Sequence, residues 1–107
     1  MWEALLTALR STGIPYAEQE WVQQGNPDTY GVLRRRGAGD ALWADGHQQA
    51  QAWAASVHLF TREAGTVNVE KVRTVLNQTD GLSWQPIDCQ YEDGTRYTHW
   101  TWYVEWV

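Results

Sequence analysis

The sequence predicts an α+β domain: a mostly antiparallel sheet with two helices packed on one face, in the order α-β-β-β-α-β-β. Three observations carry this. Two segments repeat apolar residues at helical spacing, the runs between and after them alternate with period two, and Gly, Asp, Asn and Pro clusters mark the breaks. At 107 residues the chain is read as a single domain, 1–107.

The first helix places Trp2, Leu5, Leu6 and Leu9 on one stripe, with Glu3 in the first turn and Arg10 in the last, as the helix dipole favours. Ser11, Thr12 and Gly13 stop it, and Pro15 follows. A first strand is expected over Ile14–Gln23, with Tyr16, Trp21 and Val22 as its strand-forming residues, ending at the Gly25–Asn26–Pro27–Asp28 turn. A second strand runs from Tyr30 to Arg36 and is expected to end in a loop at Gly37–Ala38–Gly39–Asp40. Residues 41–47 read as a connection with Asp45–Gly46 as a tight turn. The third strand, Gln51–Thr61, alternates Trp53, Ala55, Val57 and Leu59 with Ala54, Ser56 and His58. The second helix has Thr66 or Asn68 as N-cap and Val69, Val72, Val75 and Leu76 as its stripe, and ends at Asp80–Gly81. Strands over Leu82–Glu92 and Arg96–Trp106 close the chain, joined by Asp93–Gly94–Thr95.

Composition excludes several functions. Eight basic against thirteen acidic residues give a net charge of −5 with no basic stripe, which argues against sequence-specific nucleic-acid binding. A single cysteine, Cys89, forms no internal disulfide and no cysteine-based metal site. The N-terminus lacks a basic leader region and no apolar run reaches membrane-spanning length, so neither a signal peptide nor a membrane partner is expected, and a reducing cytoplasm is the expected site of synthesis.

No motif calls for catalysis. His47, His58 and His99 have no metal-ligand spacing, and an approach of His58 to His99 across strands is explained by a polar cross-strand pair. Cys89 alternates with Ile87 and Tyr91 and reads as a small apolar filler. Ser11, Ser56 and Ser83 lack a nucleophile elbow, and no phosphate-binding glycine loop occurs. The expectation is a protein without catalytic, cofactor-binding or metal-binding residues.

Candidate interface residues are Arg34, Arg35, Arg36, Tyr97 and Tyr103. The three arginines are successive strand residues and must alternate between faces, which suits a solvated, charged strand edge or loop base, a subunit contact, or contact with a polyanion passing nearby. Eight tryptophans, five tyrosines and one phenylalanine are a heavy aromatic load for this length. In the last strand Trp100, Trp102, Val104 and Trp106 share one face, while Tyr97, Thr101 and Tyr103 take the other. Aromatics on both faces point to a second covered face, in a subunit contact, in a two-sided core, or as a lectin-like platform.

The order of several short motifs resembles the small tail-terminator (tail-completion, neck) proteins of long-tailed bacteriophages, of the lambda type. Gly13–Ile14–Pro15–Tyr16 is similar to that family's G-I-P-V-x-Y, and Pro27–Asp28–Thr29–Tyr30 to its Pro–Tyr element. Ala44–Asp45–Gly46 followed by Val57–His58–Leu59–Phe60–Thr61 is similar to A-D-N … I-x-L-Y-T. Glu70 and Leu76 in the second helix, and Tyr103–Val104–Glu105–Trp106 at the end, complete the resemblance over almost the whole chain. The tryptophan load and the Arg34–Arg36 run depart from the pattern.

The resemblance implies a structural virion protein, located in the tail or neck and assembled in the host cytoplasm. It implies a ring, usually a homohexamer, that caps the tail tube protein, meets the head–neck connector, and lets viral DNA pass through its lumen without specific binding; the free protein is expected to be a monomer or a ring. No reaction or cofactor is implied. Alternatives are another neck protein (head closure, or stopper), or a small acidic immunity or antitoxin-like binding protein.

Overall fold

A computed structural model describes the backbone of residues 1–21, 25, 27–44 and 47–107, and their side chains except those of 37–51. The elements are α1 (Trp2–Arg10), β1 (Tyr16–Glu18), β2 (Thr29–Ala44), β3 (His47–Thr61), α2 (Val67–Gln78), β4 (Ser83–Tyr91) and β5 (Thr98–Trp106). They form one five-stranded sheet in the order β1-β2-β3-β5-β4. The only parallel pair among these strands is β1 with β2; the other three pairs are antiparallel. The predicted class and element order are therefore those of the molecule.

The core lies between the two helices and one face of the sheet. Trp2, Leu5, Leu6 and Leu9 of α1 and Val69, Val72 and Leu76 of α2 meet Leu33, Ala55, Val57, Leu59, Trp102 and Val104. These are the stripes and alternating positions of the sequence, because periods of 3.6 and 2 each put apolar side chains on a single side. Trp84, Trp100 and Trp106 are partly buried at its margin. Gly13, at φ +86°, turns the chain out of α1 in a conformation that a side chain would strain.

Several boundaries differ from expectation. β1 is only three residues long; Gln19, at φ +67°, breaks it, and Val22 and Gln23 lie outside the described residues. The loop expected at Gly37–Asp40 is strand. β2 runs through it with register shifts between Arg35 and Ala38 and between Ala38 and Ala41. Glycines in an alternating run mark bulges as well as loops, and here they bend a continuing strand. Likewise Ala41–Ala44 belong to β2 and His47 to β3, while the Asp45–Gly46 turn and Asn26 lie outside the described residues.

Helix α2 begins after Thr66, whose side chain makes no cap bond. Asn68 instead donates from Nδ2 to Glu63 Oε2 at 2.7 Å. The last connection spans residues 92–97, longer than Asp93–Thr95. The Glu92 N–H donates to the Tyr97 carbonyl and the Arg96 N–H to that of Glu92, both at 2.8 Å.

Cys89 is exposed, which corrects its reading as a filler. It lies on edge strand β4, where a shallow groove lined by Arg73, Pro86, Ile87, Cys89 and Trp100 separates the strand from α2. A bulge at Ile87, between Pro86 and Asp88, accompanies this departure from regular pairing.

Candidate interaction face

The sheet face bare of helices carries the remaining chemistry, and cross-strand register arranges it in rows. In the first row Tyr30 of β2, Phe60 of β3 and His99 of β5 are directly opposed. Their rings stack: Tyr30 on Phe60 at 4.7 Å and Phe60 on His99 at 4.1 Å between centroids. Trp21 extends the stack, 4.6 Å from Tyr30. Offset and edge-on aromatic pairs of this kind contribute about 0.5–1.5 kcal/mol each beyond their burial.

Tyr97 meets this stack edge-on, 5.4 Å from Tyr30 and 6.2 Å from Phe60. The Arg62 guanidinium lies 4.1 Å above its ring, and its hydroxyl donates to the Pro27 carbonyl at 2.6 Å. Tyr97 is thus 4% exposed. The chain's own loops cover it, so it presents no free surface to a neighbour.

The second and third rows hold Val32, His58, Thr101 and Asp88, then Arg34, Ser56, Tyr103 and Gln85. Across them His58 Nδ1 lies 2.8 Å from His99 Nε2, and His58 Nε2 lies 2.9 Å from Ser56 Oγ. Thr101 Oγ1 sits 3.3 Å from His99 Nε2. The approach of the two histidines is therefore a cross-strand polar pair. Glu92 Oε1, 3.8 Å from His99 Nδ1, sets the tautomers along the chain. Its negative charge favours a proton on that nitrogen, so His99 Nε2 accepts from His58 Nδ1–H and His58 Nε2 accepts from Ser56 Oγ–H.

Both rings are held neutral. Burial, with repulsion from His99, Arg34 and Arg36, lowers the His58 pKa to about 4. Burial also lowers that of His99, with Glu92 pulling the other way. Because the folded state disfavours the proton, stability is complete above the ordinary histidine pKa near 6.5 and falls as pH drops from there toward 4. The expected loss is on the order of 1–2 kcal/mol, reduced from the full conversion because the ring is partly open to water. Urea midpoints followed from pH 7.5 to 4 test this, with His58→Phe as the reference; equal slopes for parent and variant would contradict it.

The order carboxylate, imidazole, imidazole, hydroxyl resembles a proton relay, but Ser56 is only 4% exposed and sits in mid-strand. β3 is flanked by β2 and β5, so its backbone N–H groups are engaged in the ladders and offer no oxyanion site. The arrangement ties β3 to β5 and to the connection that follows β4. Among the described residues no group of three His, Cys, Asp or Glu could hold a metal ion.

The three arginines separate as the alternation requires. Arg34 donates from Nε to the Gln19 carbonyl at 2.9 Å. Arg35 lies over the Trp2 ring, 4.3 Å from its centroid, on the helix side. Arg36 lies over Tyr103 at 5.3 Å, on the bare face. All three are exposed. Tyr103 is half-buried and its hydroxyl donates to the Glu105 carboxylate. The site thus brings Arg34, Arg36 and Tyr103 onto one face and leaves Arg35 on the other. The Tyr30–Phe60–His99 stack escaped the sequence reading because it depends on register between three strands; only an assumed pairing of Tyr30 with Phe60 could have suggested it.

No protein-family profile matches the chain, and no curated protein matches it.

Proposed function

We propose that the protein is a ring-forming tail terminator of a long-tailed bacteriophage. In this role it caps the tail tube and joins it to the head–neck connector, without enzymatic activity. The observation that carries the reading is the β2–β3 hairpin. β5 pairs with β3 only from Trp53 onward, and β1 pairs with β2 only over Gly31–Leu33. Beyond Arg36 the two strands continue as a ribbon with no third strand among the described residues, giving the molecule a long axis of 51 Å against 26 and 25 Å. A two-stranded ribbon is marginal alone in water, so an arm of this length is suited to packing on a neighbour. Repeated around a closed ring, one arm per subunit satisfies every copy without open-ended growth. The net charge of −5 suits a lumen through which DNA must slide, because like charge repels the phosphate backbone.

The test is the assembled particle. Without this protein, tails are expected to vary in length and fail to join heads. Tails of uniform length with full head attachment in its absence would overturn the assignment.

A further inference from the structure

We infer that the subunits join edge to edge: the outer edge of β2 beyond Arg36 in one copy pairs antiparallel with the Asp88–Tyr91 half of β4 in the next. This rests on the ring reading and names its seam. The two edges lie at opposite ends of the sheet order, which is the head-to-tail arrangement a ring requires. On the β2 side, β1 covers Gly31–Leu33 and Gln19 Oε1 takes the Arg35 N–H at 3.1 Å, so the edge becomes available at Arg36. On the far side, β4 pairs with β5 alone among the described strands, and nearly all of its residues are exposed.

Strand direction follows from the topology. β2 runs opposite to β3, β3 opposite to β5, and β5 opposite to β4, so β2 and β4 run in opposite directions. A sheet continued from one copy to the next therefore joins them antiparallel. Pro86 has no N–H to offer and the Ile87 bulge interrupts the strand, which closes the first half of β4 to regular pairing and confines the seam to Asp88–Tyr91.

Charge agrees with this direction. Residues 83–93 contain Asp88, Glu92 and Asp93 and no Lys or Arg, whereas the β2 edge opens on Arg34–Arg36. The antiparallel sense brings the Arg34–Arg36 stretch of one copy alongside Glu92–Asp93 at the end of β4 in the next. Residue 38 is opposed to Trp53 in β3 and Cys89 to Trp100 in β5, positions on one sheet face, so the seam can set residue 38 opposite Cys89, the only cysteine of the chain and an exposed one.

That thiol supplies the test. Full-length Ala38→Cys and Ala41→Cys, the second allowing for the bulges in β2, are oxidised at high protein concentration and on tail tubes. Folding is checked by tryptophan fluorescence and oligomers by sedimentation. The expected result is a ladder of disulfide-linked oligomers from at least one of the two, abolished by adding Cys89→Ser. A charge exchange gives an independent readout: Arg36→Glu and Asp93→Arg should each weaken assembly about tenfold, and the pair together should restore it. Oligomers that form without either cross-link, or that link only Cys89 to Cys89, would overturn the seam while leaving the ring. Absence of any oligomer, in solution and on tubes, would overturn the ring and the seam with it.

Discussion

Gly31→Ala is expected to be the most damaging single methyl group that can be added to this protein. Gly31 of β2 is paired with Tyr16 of β1, and the Tyr16 ring lies flat where a Gly31 side chain would be. A Cβ built at Gly31 would fall 2.1, 2.2 and 2.6 Å from three atoms of that ring. The ring cannot retreat, because Tyr16 is 2% exposed and packs in the main core. Overpacking a core ordinarily costs about 1–3 kcal/mol, and a clash with three atoms of a trapped ring belongs at or above the top of that range. Urea denaturation should report a loss of about 3 kcal/mol or more, a large share of the roughly 5–15 kcal/mol of a typical domain. Tyr16→Phe should not rescue it, since the ring remains. In a Tyr16→Ala background, the added cost of Gly31→Ala should shrink to under about 1 kcal/mol, because the two residues share one space. Equal costs in both backgrounds would refute the contact.

Trp102→Ala is expected to cost about 3–5 kcal/mol, the usual penalty for deleting a large buried aromatic. Trp102 is 1% exposed, lies opposite Val57 in β3 and Pro86 in β4, and has its ring 6.3 Å from that of Trp100, nearly parallel to it. Its removal opens a cavity under both helices that the central strands cannot close, being held by ladders on each side. Trp102→Phe should lose less, since part of the volume remains. Thermal unfolding of the two variants checks the order; a Trp102→Ala midpoint within error of the parent would place the ring outside the core.

The sequence alone determined what depends on local periodicity. The stripe Trp2, Leu5, Leu6 and Leu9, the stripe Val69, Val72 and Leu76, and the alternation of Val57 and Leu59 were legible because side-chain direction repeats with the backbone. The separation of Arg34 and Arg36 from Arg35 followed from the same rule. What depends on register or neighbourhood was decided only in three dimensions. Gly37 and Gly39 have the composition of a loop, and pairing with β3 makes them part of a strand. Tyr97 has the parity of an exposed face, but the loop beginning at Glu92 folds it under Arg62 and onto Tyr30 and Phe60. Cys89 has the pattern of a buried strand residue, yet an alternating run does not encode its place at the edge of the sheet. The Glu92–His99–His58–Ser56 chain joins residues up to 43 positions apart in register rows, and no spacing in the sequence announces which strands will be neighbours. Periodicity is a property of one segment, whereas pairing is set by the free energy of the whole sheet; that is why the elements could be read in advance and the face they build could not.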